Sequence, residues 1–205
     1  MIKVILLILL NSILCESLLY DVHFKKINVG SATLNSQKIN NNSNKIIFSV
    51  KTKKFIDFIY KIRENISMIV HSNNYSLRYI EKKSQHKKTY IEYENNMNGN
   101  TLLYDPISII FFLRNQELFV DDKFIFNIFK PNGNNKIGMN VIGEETIYAM
   151  KNNYDCFILA PFNIDNDKGK IKLWISKKTR FPIIIEQDGK YGKIVMKLKS
   201  IANGY

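Results

Sequence analysis

The side chains of this 205-residue sequence best suited to chemistry are three histidines, two cysteines and a few paired carboxylates. His23, His71 and His86 are too dispersed for a recognisable metal motif, because zinc needs three or four ligands converging on one point. The patterns His-Glu-x-x-His and Gly-x-Ser-x-Gly, which mark zinc hydrolysis and an activated serine, are absent. Asp165-Asn166-Asp167, close to Gly169, has the look of a cation loop. It lacks the full ligand spacing and the terminal glutamate of a calcium site, so a solvated turn is expected. Asp121-Asp122 reads the same way, and Glu144-Glu145 adds carboxylates without a partner base. Nothing here singles out a catalytic residue, a ligand-binding residue, a metal or a cofactor.

The formal charge of +12 comes mostly from lysines spread along the chain. Such a surface attracts anions generally, so an anionic lipid surface is a candidate contact. A nucleic-acid binder would show a concentrated basic helix, a zinc framework or aromatics at fixed strand positions. None is evident, and nucleic acid is not an expected partner.

The N-terminus carries Lys3, an apolar run from Val4 to Leu10, and then small or polar residues through Ser17, the three-part pattern of a secretory leader. The run is short of the about 20 residues a membrane-spanning helix needs. Residues 1–17 are therefore read as a signal peptide and 18–205 as a single β-rich domain. Cleavage is expected between Leu14 and Leu18. Removing the segment through Cys15 would take away Lys3 and lower the formal charge from +12 to +11. Leu14 poorly suits the small residue that a lipidated Cys15 would follow, so a lipidated form is not expected. Cys156, left alone, reads as a small buried apolar group.

The elements that would position any site are mostly short alternating segments. Tyr20–Phe24 and Val29–Leu34 read as neighbouring strands joined near Asn28 and Gly30, and Asn40–Asn44 as a turn before strand Ile46–Val50. Phe55, Phe58, Ile59 and Ile62 follow the spacing of a helix face, which suggests a short helix packed through them against the sheet. Strand-like segments return at Ile66–Val70, Tyr75–Glu81 and Thr89–Glu94. After Leu118 come Lys123–Phe129, Lys136–Val141, Thr146–Met150, Cys156–Ala160, Lys170–Ser176 and Phe181–Glu186. A turn is expected over Lys151–Asp155, and Ile194, Met196 and Leu198 share one face of the last strand.

One internal helix stands apart. Asp105 can cap a helix start, and Pro106 tolerates its first position because the missing N–H is not needed there. The residues that follow, up to Arg114, are apolar almost all round, so the helix must be enclosed on several sides. Arg114 is suited to the exposed carbonyls at the helix end and to a carboxylate partner. Trp174 is read as packing, and Pro182 belongs at a strand start or edge because it cannot donate to a ladder. These five (Asp105, Pro106, Arg114, Trp174 and Pro182) are structural candidates. The expected architecture is mainly β, a strongly curved antiparallel sheet or incomplete barrel around a short apolar helix.

Tyr104–Arg114, Val141–Thr146, Tyr154–Phe157, Lys172–Ser176, Arg180–Ile183 and Tyr191–Ile194 occur in an order that resembles the DUF3108 family of exported bacterial proteins of unknown function. Tyr20–Val22 and Lys25–Gly30 fit as well, while Asn153-Tyr154 departs from a common turn glycine. The resemblance implies export to the periplasm or cell envelope and a half-barrel sheet distantly similar to lipoprotein-carrier folds. It brings no catalytic residue. The leading expectation is a non-enzymatic envelope protein that binds a lipid, acyl group or apolar peptide in a curved β cradle. The alternatives are a structural or assembly factor for envelope proteins and an envelope hydrolase with a non-obvious site.

Overall fold

The computed structural model describes residues 15–86, 89–96, 101–131, 133, 135–164, 167–168, 171–189 and 192–204. Of the segments read above, residues 1–14, Asp165-Asn166, Gly169-Lys170 and Tyr191 lie outside these. The chain runs β1 (Cys15–Phe24), β2 (Ile27–Asn40), β3 (Ser43–Thr52), α1 (Lys54–Tyr60), β4 (Ile62–His71), β5 (Leu77–His86), β6 (Thr89–Asn96) and β7 (Leu103–Tyr104). It continues as α2 (Pro106–Arg114), β8 (Lys123–Ile128), β9 (Asn135–Ala149), β10 (Asn152–Ile164), β11 (Asp167–Lys168), β12 (Ile171–Ser176), β13 (Pro182–Gly189) and β14 (Gly192–Gly204).

The described strands form one 14-stranded sheet, ordered β6-β5-β4-β3-β2-β1-β14-β13-β12-β10-β9-β8-β7, with β11 paired to β10. Alternation builds its inner face: Leu18, Tyr20 and Val22 of β1 are buried, as are Ala32 and Leu34 of β2 and Ile46 and Phe48 of β3. Register shifts after Leu19 and Val22, each involving β1, and after Ile158 in β10 bend the sheet. The bending brings distant strands together. Tyr20 Oη of β1 donates to Pro182 O of β13 at 2.9 Å, although β14 lies between them in the order. The sheet folds over α2 as a β-rich, near-barrel structure.

Two local readings change. The β1–β2 connection is Lys25-Lys26, both at positive φ (47° and 70°), and not the Asn28–Gly30 region. A two-residue turn of that hand matches the twist of the strands it joins. Met150-Lys151, also at positive φ, does the same between β9 and β10, so Asn152–Asp155 is strand and not turn. Within β1, residues 15–17 are paired with both β2 and β14. Gly30 instead serves close approach within β2: a Cβ there would stand 2.3 Å from Lys51 O.

Candidate functional site

The seat of α2 is where the chain concentrates its buried polar contacts. Asp105 forms the N-cap, its carboxylate accepting from Ile107 N at 2.8 Å, while Ser108 Oγ accepts from Asp105 N at 3.0 Å and Pro106 begins the helix. This box satisfies donors that a helix start leaves open. Burial raises the Asp105 carboxyl to about 6, against the lowering effect of the Ile107 bond. The Lys82–Glu64 ion pair, Nζ to Oε1 at 2.7 Å, acts on it with opposed signs, the lysine lowering it and the glutamate raising it.

Seven of the nine residues of α2 are buried, Ile107 to Phe111 together with Leu113 and Arg114. Contacts come from widely separated parts of the sheet. Tyr75, in the β4–β5 turn, stacks on Phe111 at 6.0 Å and accepts from Asn115 Nδ2 at 3.1 Å. Phe112 meets Tyr104, Phe124 and Phe126 edge-on at 5.3 to 6.2 Å. Edge-to-face pairs of this kind add about 0.5–1.5 kcal/mol beyond area burial.

The C-terminal end is closed by two arginines and one acid. Arg114 Nη1 and Nη2 reach both oxygens of Glu16 on β1, at 2.7 and 2.8 Å. Arg114 Nε donates to Arg180 O at 2.8 Å, and Arg180 Nε returns a bond to Arg114 O at 2.9 Å. Arg180 also donates to Gln116 O, so its guanidinium covers carbonyls that the helix end leaves open. The Arg114 fork lies between the Phe111 and Phe181 rings, 5.1 and 5.2 Å from their centroids. Burial, and then the Arg114 charge, hold Arg180 below its ordinary value. With its nitrogens committed to Glu16 and a backbone carbonyl, Arg114 is built to fix a helix and not to receive an anion.

The family described as protein of unknown function (DUF3108) matches residues 19–199, from within β1 to within β14. The chain belongs to the DUF3108 family. Among solved structures, the DUF3108 chain is similar to a β-barrel-like protein of domain of unknown function DUF1849 from Brucella abortus. The two are 9% identical with a TM-score of 0.56, over 93% of this chain and 98% of that one. At that identity the likeness shows the fold alone. None of the curated proteins matches.

The other candidates of this DUF3108 chain are dispersed. Trp174 is 7% exposed, donates Nε1–H to Glu145 Oε2 at 2.8 Å and lies under Lys172 Nζ, 4.6 Å from its ring. Pro182 opens β13, which is an interior strand with β12 and β14 on either side. Glu144 pairs with Lys177 at 2.5 Å, and Asp122 accepts from Phe119 N in a turn. Burial pushes the Cys156 thiol up to about 11, which keeps it protonated and inert near neutrality. His71 and His86 end β4 and β5 respectively, and His86 faces Ile62 at the other end of β4, about 30 Å along the strand from His71. Ser84 Oγ lies 2.7 Å from His86 Nε2, but Ser84 is 3% exposed, which leaves no room for a substrate. Among the described residues no group of three His, Cys, Asp or Glu could hold a metal.

Nothing in the sequence gives Glu16, Tyr20 or Arg180 a contact role, although Tyr20 and Arg180 lie in segments that resemble the family. Glu16 sits at the margin of a leader-like segment, and its partner is 98 residues away. The one usable signal was Arg114 itself, an arginine ending an apolar helix that must find an acid somewhere.

Proposed function

We propose that this chain is a non-enzymatic protein of the bacterial cell envelope that acts through its outer surface, as a structural or assembly factor. One observation carries the reading: the concave face of the sheet, where an acyl chain or apolar peptide would have to lie, is occupied by the chain's own α2, fastened at both ends. Apolar surface is instead available outside. Leu102, Phe119, Val120, Ile125 and Ile142 are 44% to 64% exposed near the β7–β8 margin of the sheet. Exposed apolar side chains on and beside the β7, β8 and β9 strands favour a protein partner. Export, read from the leader, belongs to the same proposal. Among the described residues no helix is long and apolar enough to cross a membrane.

A lipid or acyl carrier of the lipoprotein-carrier type would need α2 to leave its seat, and that separates the two readings experimentally. Glu16→Cys and Arg114→Cys, in a Cys15→Ser background and joined by a short bismaleimide, tether α2 to β1. A surface factor keeps its ability to restore envelope integrity to a deletion strain when tethered. Loss of rescue by a tethered but folded protein, with lipid released from the untethered one in equal molar amount, would establish the carrier instead.

A further inference from the structure

At the end of the sheet opposite Cys15, the β1–β2 turn and α1 build a surface that the seat of α2 does not use. Lys53 N donates to Val29 O at 2.9 Å, which sets α1 beside the start of β2. Asp57 of α1 is gripped by Thr52 and by Arg63, whose Nη2 lies 2.5 Å from Asp57 Oδ2. The helix is therefore fixed in orientation, with Ile56 and Asp57 turned toward the sheet and two phenylalanines turned away. Phe58 is 96% exposed, Phe55 61% and the neighbouring Ile27 60%. Leaving three large apolar side chains in water on a secured element is unfavourable unless something covers them.

The surrounding charge says what the cover is. Residues 24–30 and 51–63 contain Lys25, Lys26, Lys51, Lys53, Lys54 and Lys61 in addition to Arg63, and a single acid, Asp57, already engaged by Arg63. Lys53 and Lys54 directly precede Phe55 in the chain, and Lys25 Nζ of the β1–β2 turn lies 5.6 Å from the Phe24 ring centroid. We infer that this end of the molecule docks on an anionic phospholipid bilayer, Phe55, Phe58 and Ile27 entering the headgroup boundary and the lysines meeting lipid phosphates. A bilayer satisfies both halves of the surface at once: its hydrocarbon edge takes the apolar side chains and its negative headgroups take the amines. A nucleic acid offers the charge but no apolar layer for side chains at this depth.

Sedimentation with vesicles tests the inference on the purified protein. Binding to phosphatidylglycerol–phosphatidylcholine vesicles at low salt is expected to exceed binding to pure phosphatidylcholine by about tenfold or more, and to fall as salt shortens the screening length. Phe55→Ser with Phe58→Ser is expected to weaken anionic binding by about tenfold, with an unchanged far-ultraviolet spectrum. Tryptophan fluorescence of Phe58→Trp should be quenched by brominated lipid, a readout that simple charge attraction would not move. Equal binding to neutral and anionic vesicles would overturn the inference, as would full binding by the double serine variant or an unquenched tryptophan. A DNA duplex that binds the parent and the double serine variant equally and displaces the parent from vesicles would also overturn it. The tether experiment above can fail without touching this result.

Discussion

Glu16 and Arg114 set the energetics of single residues in this fold. The Arg114 guanidinium is 8% exposed and Glu16 24%, so the pair is poorly screened and neither member tolerates loss of the other. Glu16→Gln is expected to cost about 2–3 kcal/mol in urea unfolding, since it strands a charge between two aromatic rings. Lys199→Gln, which removes an exposed pair to Asp21, should cost under about 1 kcal/mol. Asp105 works with the opposite sign from most paired acids. Its folded value of about 6 exceeds the ordinary 3.8, so between those values the folded state holds the proton more firmly than the unfolded one. Its contribution to stability is largest below about pH 4 and declines as pH rises through about 6, by roughly 2–3 kcal/mol in all. Asp105→Asn keeps the capping acceptor without the buried charge. It should flatten that decline and match or exceed the parent at pH 7 in unfolding measured from pH 4 to 7.5. A steeper decline in the variant would refute the assignment.

Elements differ in how openly the sequence declares them. A proline after an aspartate and a run of apolar residues announced α2 and its need for enclosure, because those signals are local. Alternation announced most strands. Turns were harder: Lys25-Lys26 and Met150-Lys151 adopt positive φ without the glycine or asparagine that usually marks it, so composition pointed to neighbouring residues instead. Gly30 was read as turn chemistry, but its role is steric. Gly30→Ala would press a methyl group against the Lys51 carbonyl and is expected to lower stability by about 2 kcal/mol or more by thermal unfolding. An unchanged midpoint would mean that β2 and β3 can separate slightly at that point. The candidate site was half visible. Asp105, Pro106 and Arg114 follow from helix physics, whereas Glu16 and Arg180 become partners only through long-range folding that no spacing encodes.

Across the whole molecule, one sheet must curve because one helix must be covered. The first and last described strands, β1 and β14, pair along most of their length and so belong to the same wall. Strands far apart in the sheet order meet at α2, and the two ends of that helix are held by unlike devices, a capping box at Asp105 and an arginine–glutamate latch at Arg114. The interior then belongs to the protein itself, which turns attention to its outer surfaces, the β7–β8 margin and the lysine-ringed α1. Amide hydrogen exchange is the most direct test of this arrangement. The amides of Ile107 to Arg114 that bond within the helix should exchange as slowly as those of β1 and β14, opening only with global unfolding. Fast exchange in α2 while the strands stay protected would contradict the account.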